Sequence, residues 1–457
     1  MPFFPMGTGI QAENDTNTVS GAVPLSPATQ VKNRRKRYLD THPEYFSADL
    51  ELAATSSLKN LRLLLSQITS KYTPQVPITM PHLTIQDEIK KLRCSDSPTV
   101  TRSPSPKKTE KYIVQKLRKQ FELTKDTIGD GSFARVKIVH RKEQGTLVKY
   151  AAKFLNREAK VSEQLYEERA WKEFDIARNL HHPNIAEVIS LCKHNPHLVF
   201  VMEHCQHGDL CDLMAKATLR HGAKKCFFKQ MLRGVAYMHS HGIAHHDIKP
   251  ENLVLADDNV LKLIDFGLSE VFADLLPPDS KGERKLGPVR EFPARLYGTP
   301  AYLPPELFQG VYSYDARALD VWSCAITAFA IFAGDVPWDL ADDEDKSYQA
   351  FRGSWQYLLE EYPDLPVTAD NFPLTTFAKA LPEKELATLL LRMLHPFPEK
   401  RMTILEVLED PWVQAIECCS PESNHSSTVR GDKTGDCGIP KMHDHRPLTD
   451  ELASNSD

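Results

Sequence analysis

Residues 242–255, GIAHHDIKPENLVL, carry three side chains whose types and spacing suit phosphoryl transfer. Asp247 offers a carboxylate that orients a hydroxyl and accepts its proton. Lys249 offers a cation for phosphoryl oxygens, and Asn252 a hard oxygen ligand for Mg²⁺. Further along, LKLIDFGLSE supplies a second such ligand in Asp265. Transfer of a γ-phosphoryl group from ATP rests on positioning and charge neutralisation, so the chain must also grip phosphates and hold a cation beside them.

Upstream elements match both needs. In TIGDGSFARVKIV, residues 127–139, Gly129 and Gly131 sit between β-type runs. Glycines there let the backbone fold tightly over a nucleotide and turn N–H groups toward its phosphates. Ile128, Asp130 and Val136 flank this loop and are counted with it as nucleotide-binding residues. Ala134 stands where a third glycine would complete G-x-G-x-x-G, and a simple hairpin has the same composition, so the motif alone is weak. The strand-like KYAAKFL places Lys153 among apolar neighbours, where a cation is costly unless paired. Glu173, in the helix-like WKEFDIARNLHHPNI, is its natural partner.

Taken together, residues from about 121 to 413 resemble a eukaryotic protein kinase. The resemblance implies an α+β, bilobal fold with a small β-rich N-lobe and a larger helical C-lobe, using ATP and Mg²⁺ on protein substrates. It makes Lys153 the α/β-phosphate lysine, Glu173 its helix partner, Met202 the gatekeeper and Glu203 to Cys205 the adenine-binding hinge. Asp247 and Lys249 become catalytic, and Asn252 and Asp265 metal ligands. Asp209 is counted at the nucleotide site; with Glu251 it also matches carboxylates that meet arginines in substrates of basic-directed kinases. YGTPAYLPPE resembles the end of an activation segment, with Thr299 marking Ser/Thr specificity. Glu306 is expected to pair with Arg401, and Asp320 to anchor the catalytic loop from beneath. More narrowly, CFFKQMLRGVAYMHSHGIAHHDIKPENL, YDARALDVWSCAI, DLADDEDKSYQAF and DPWVQAIECC resemble the fungal halotolerance and nitrogen-permease-reactivator kinases, which implies regulation of plasma-membrane transporters.

One residue departs from the pattern. Many kinases carry an arginine where this chain has His246, and that arginine forks onto an activation-loop phosphate. Histidine cannot copy the fork and is mostly neutral at pH 7. The segment from Lys281 to Leu296 contains no Ser, Thr or Tyr. Arginine and phosphosite are missing together, which predicts activity without activation-loop phosphorylation. A nucleotide-binding pseudokinase scaffold and a small-molecule phosphotransferase of kinase-like fold are the alternatives. Retention of Lys153, Asp247, Asn252 and Asp265 opposes the first, and the substrate loop with Arg401 opposes the second.

Around the 120–413 domain the texture is polar. Residues 1–115 read as a disordered regulatory region and 417–457 as a mostly disordered tail. Within the first lie a helical repeat of Leu58, Leu61, Leu65 and Ile68, and the basic run Lys32–Arg37, readable as a nuclear import signal, an anionic-lipid patch or a solvated stretch. Ser97, Ser103 and Ser105 each precede proline and suit proline-directed phosphorylation. The 457 residues are 41% hydrophobic and 26% charged, with a net charge of −5, which gives no global pull toward nucleic acid or membrane. No secretory leader is recognisable, and the apolar stretch Cys324–Gly334 suits a buried helix rather than a bilayer span. The nine cysteines read as reduced thiols of a cytoplasmic protein. Cys418, Cys419, Cys437, His425, His443 and His445 match no closed tetrahedral spacing and read as surface groups. His245 is expected to pack structurally near Asp265.

Overall fold

The computed structural model describes residues 114–130, 134–157, 161–216, 218–256, 260–280, 282–309, 311–420 and 445. Gly131, the Leu58–Ile68 repeat, Lys32–Arg37, the three Ser-Pro sites, His425, Cys437 and His443 lie outside them.

The small lobe is a six-stranded sheet. Its strands are β1 (Gln115–Lys116), β2 (Glu122–Asp130), β3 (Ala134–Glu143), β4 (Thr146–Leu155), β5 (Val188–His194) and β6 (His197–Glu203), in spatial order β1-β5-β6-β4-β3-β2. A short helix α1 (Leu117–Gln120) follows β1, and α2 (Glu163–Ala177) lies between β4 and β5. Ser162 caps α2 by accepting from the Leu165 N–H at 3.2 Å. The period of two in β4 decides what reaches the cleft. Tyr150, Ala152 and Phe154 join Val139, Cys192, Val199 and Val201 in one cluster, so Lys153 emerges on the opposite face. There Phe200 and Met202 pack with Ala170, Trp171 and Phe174 of α2.

The first strand begins before the sequence boundary at 120. Gln115 and Lys116 pair in parallel with Cys192 and Lys193, and Leu117 and Phe121 are buried in the sheet core. Apolar spacing alone gave no hint of this, because β1 is two residues long and α1 four.

The large lobe begins with α3 (Leu210–Lys216) and α4 (His221–Ser240). Short paired strands follow: β7 (Ile243–Ala244) with β10 (Glu270–Val271), β8 (Leu253–Leu255) with β9 (Leu261–Leu263), and β11 (Phe292–Pro293) with β12 (Ser313–Tyr314). Helices α5 (Ala316–Ala333), α6 (Lys346–Glu361), α7 (Thr375–Lys379), α8 (Lys384–Met393), α9 (Ile404–Glu409) and α10 (Pro411–Gln414) complete it. Helix α5 is long and apolar enough to cross a bilayer, but 89% of it is buried inside the domain. It is capped at one end by Asp315 and stopped at the other by Gly334 in the left-handed region, φ 92°. This α+β, two-lobed architecture is the one expected from the sequence.

Because Leu117 fills a sheet core that would otherwise hold a void, Leu117→Ala should cost about 2–4 kcal/mol of unfolding free energy. Denaturant unfolding measures this, and a loss below about 0.5 kcal/mol, the range of ordinary surface changes, would show that helix α1 adds nothing to the sheet core.

Candidate active site

Two clusters face each other across the cleft. In the first, Lys153 Nζ donates to Asp265 Oδ1 at 2.8 Å and to Glu173 Oε1 at 3.2 Å. Helix α2 supplies Glu173 because Tyr166, Ala170 and Phe174, one turn apart, seat it on the sheet. Burial alone would lower the Lys153 pKa, but Asp265 first and Glu173 second raise it, so the cation is secure. The two carboxylates diverge. Glu173 is pushed up by burial, which Lys153 only partly offsets. Asp265 is pulled down: burial opposes ionisation, and the nearer Lys153 outweighs it. Asp265 sits at φ 65°, a left-handed conformation unusual outside glycine. Space is tight at Gly267 as well: a Cβ there would lie 3.3 Å from both Asp265 Oδ1 and Glu173 Oε2.

The second cluster centres on Asp247. Lys249 Nζ donates to Asp247 Oδ2 at 2.7 Å and to Thr299 Oγ1 at 2.6 Å. Thr299 Oγ1 donates to Asp247 Oδ1 at 2.9 Å, and Asn252 Nδ2 to the Asp247 backbone oxygen at 2.8 Å and Oδ2 at 2.9 Å. With its amide nitrogen spent on Asp247, Asn252 leaves its carbonyl oxygen as an acceptor for a cation. Gly298, φ 112°, lets the substrate loop approach: a Cβ there would sit 3.1 Å from the His246 carbonyl.

The loop carrying Asp247 is fixed from below. Asp320 of α5, fully buried, accepts from the N–H groups of His245 at 2.8 Å and His246 at 2.9 Å, and from His239 Nε2 at 2.9 Å. His245 Nε2 donates to the Ile264 carbonyl at 3.0 Å and its ring lies against Phe266, so it packs as expected near Asp265. Glu306 and Arg401 form a buried bidentate pair, at 3.0 and 3.1 Å, over which Trp322 stacks.

The nucleotide-side residues fall along one wall. Ile128 and Gly129 lie on β2, with Gly129 paired to Val136 of β3, and Asp130 forms an exposed ion pair with Arg135 at 3.0 Å. Met202 pairs with Ala151 of β4, and Glu203 ends β6. Cys205 follows with a half-buried thiol that is in no disulfide. Asp209 accepts from the Asp212 N–H at 2.7 Å, and burial raises its pKa. A hinge contact absent from the sequence reading is the ion pair of Glu203 with Lys262, at 3.1 Å, which ties the hinge to the β8–β9 hairpin. Its long separation in sequence hid it.

A bilobal α+β domain with a strand lysine, an ion-paired helix glutamate and a carboxylate loop stapled to its substrate segment defines the protein kinase class. The comparisons agree: the protein kinase domain family matches residues 123–413, and the chain belongs to that family. Among its relatives are serine/threonine-protein kinase hal4 of Schizosaccharomyces pombe, 31% identical over 69% of this chain and 46% of that one. Serine/threonine-protein kinase HAL4/SAT4 of Saccharomyces cerevisiae is 29% identical over 68% and 49%. Serine/threonine-protein kinase HAL5 of Candida glabrata is 34% identical over 53% and 29%. These place the domain in the fungal group that the sequence resembled. The chain spans about half the length, or less, of the curated relatives it matches.

Thr299 bridges the carboxylate and the lysine at once. A hydrogen bond to a charged group contributes about 1.5–3 kcal/mol, so Thr299→Ala should lower kcat roughly tenfold to a hundredfold. Thr299→Ser, which keeps the hydroxyl, should stay within about threefold by the same reasoning. Steady-state phosphate transfer to a peptide distinguishes the outcomes, and equal kcat for Thr299→Ala and the parent chain would remove the bridge from the account.

Proposed function

We propose that the chain is an ATP-dependent serine/threonine protein kinase whose active conformation does not depend on activation-loop phosphorylation. The observation that carries the catalytic reading is the Asp247 carboxylate held by Lys249, Asn252 and Thr299. Asp247 orients the acceptor hydroxyl and takes its proton as the oxygen attacks the γ-phosphorus and the bond to the β–γ bridging oxygen breaks, releasing ADP. Lys249 faces the phosphoryl oxygens, and Lys153 holds the α/β-phosphates. The oxygens of Asp265, held ionised, and Asn252 suit Mg²⁺, which when bound neutralises charge on the β- and γ-phosphates. Gly129, Ile128 and Val136 cover the nucleotide, and Met202, Glu203 and Cys205 line the adenine edge.

The regulatory reading rests on what surrounds His246. It adopts φ 69°, is 5% exposed, and donates from Nδ1 to the Leu268 carbonyl at 3.0 Å. Its ring meets Phe292 edge-on at 5.9 Å and Tyr314 at 5.8 Å. Buried Nε2 has no hydrogen-bond partner, and burial lowers the ring's pKa, so the imidazole is neutral. The segment beyond it braces itself: Arg290, Gly287 and Leu276 donate backbone N–H groups to Phe272, Asp274 and Lys285, all at 2.8 Å. Leu286 and Phe292 pack onto Ala244, Phe272, Ala273 and Ala316. Apolar contact and a backbone ladder occupy the role that an arginine–phosphate pair fills elsewhere.

The likeness to the halotolerance and permease-reactivator kinases extends the proposal to plasma-membrane transporters or their regulators as targets of a cytoplasmic enzyme. Asp209 and Glu251, both shifted up by burial, with Asp209 adding to the shift of Glu251, suit basic residues before the acceptor.

Transfer of ³²P to a mixed peptide library tests the reading, with Asp247→Asn as control. The parent chain should phosphorylate Ser and Thr peptides before and after phosphatase treatment, and Asp247→Asn should lose about 100-fold or more, the scale of a general base. Loss of activity on dephosphorylation would overturn the regulatory reading, and ATP binding without transfer would overturn the catalytic one.

The neutral His246 also carries a pH signature. Its folded pKa is lowered, so above the unfolded value of about 6.5 both states are neutral and no linkage arises. As pH falls below that value the unfolded chain binds the proton first, and stability is lost until the folded ring titrates. His182 and His395, each lowered by burial to about 4, add loss in the same window. His246→Phe should therefore lose less Tm than the parent chain between about pH 6.5 and 5. Parallel Tm–pH curves for the two proteins would contradict the assignment.

A further inference from the structure

Of the cysteines and histidines near the C-terminus, Cys418 and His445 do not lie on the surface as their spacing suggested. Cys418 is 8% exposed and His445 3%. Both meet Cys226, a fully buried residue of α4 that is remote from them in sequence. Donor atoms of Cys226, Cys419 and His445 all lie within 4.8 Å of one another. Cys419 Sγ is 3.2 Å from His445 Nε2, and the Cys419 N–H donates to Cys226 Sγ at 3.3 Å. The Cys418 thiol shares a hydrogen bond with that of Cys226.

The site is preorganised from the domain side. Lys229 Nζ donates to the carbonyls of Gln414 and Ile416 at 3.1 and 2.9 Å, and Arg233 to that of Ser420 at 3.0 Å. Those bonds pin the segment carrying Cys418 and Cys419 before any tail residue arrives. Gln230 Nε2 donates to Cys226 Sγ at 3.3 Å, as amide donors do around thiolate ligands. His445 then returns across 26 positions and lies against Phe227, ring centroids 4.8 Å apart.

We propose that Cys226, Cys419 and His445, with Cys418 as the fourth sulfur, bind a zinc ion that clasps the C-terminal tail to the large lobe. Thiolate and imidazole donors select a borderline-soft cation, and three sulfurs with one nitrogen make a closed structural set. Tetrahedral zinc, with Zn–S about 2.3 Å and Zn–N about 2.0 Å, spaces its ligand atoms about 3.5–3.8 Å apart, inside the 4.8 Å envelope of Cys226, Cys419 and His445. Sequence spacing could not show this, because Cys226 stands 193 positions from Cys419. The ion is structural, remote in role from the phosphoryl-transfer residues, and independent of that reading.

Metal content of the full chain, purified and reconstituted with Zn²⁺ under a phosphine reductant, tests the site. About one zinc per chain is expected for four-ligand binding. Cys226→Ser and His445→Ala should each lower retained zinc at least about fivefold, since second-shell losses alone reach about tenfold and ligand losses exceed them. Cys211→Ser, outside the cluster, should keep it. Should a variant fail to fold, Co²⁺ substitution of the unaltered chain still decides, because tetrahedral thiolate coordination gives intense visible d–d and sulfur charge-transfer bands. A zinc-free reconstituted chain, zinc retained in both ligand variants, an octahedral cobalt spectrum, or a Cys226–Cys418 disulfide in metal-free protein would each overturn the proposal.

Discussion

The catalytic arrangement depends on one buried carboxylate. Asp320 is fully inside the large lobe, where an ionised group is costly unless hydrogen bonds replace its water. Burial works to raise its pKa, yet the His239 hydrogen bond and nearby imidazoles hold it below the ordinary carboxylate range. Its two oxygens grip consecutive backbone amides, at His245 and His246, and so hold the chain in the left-handed turn that presents Asp247. The same helix α5 sends Ser323 to the Tyr302 carbonyl at 2.9 Å and Thr327 to that of Ile248 at 3.3 Å. Catalytic loop and substrate loop are therefore registered against a single apolar rod.

Around that anchor the cleft spends its charges on one another. Lys153 is shared by Glu173 and Asp265, and Lys249 by Asp247 and Thr299. No cation of the catalytic loop is left to collect a phosphate at the activation segment, where His246 offers a neutral ring. Aromatic pairs contribute about 0.5–1.5 kcal/mol beyond their area burial, so two rings on His246 rival a partly exposed ion pair in worth.

Much of this was legible in the sequence, because residues that do chemistry are held to short, ordered motifs. Asp247, Lys249, Asn252 and Asp265 came from spacing, and the partnership of Lys153 with Glu173 from the cost of an unpaired cation in an apolar strand. The absent phosphosite between Lys281 and Leu296 was read by inspection. The hairpin from Phe272 to Arg290 was not, because it is made of backbone hydrogen bonds, which leave no residue signature. Glu203 with Lys262, and Cys226 with Cys419, join positions far apart in sequence, and no local pattern encodes their meeting. Gln115–Lys116 was missed for a different reason, since two residues are too few to show a period.

Helix α2 meets the activation segment through a contact of little worth. Its inner face is apolar and seated on the sheet, but its link to the activation segment is the exposed ion pair of Lys172 with Glu270, 2.7 Å long and among the weakest kinds of contact in water. The Lys153–Glu173 pair lies one residue further along the same helix. Glu173, raised in pKa by burial, is the less committed of the two acids on Lys153. A displacement of α2 would therefore break one contact of small worth and one that is already strained by burial, while Asp265 keeps the lysine.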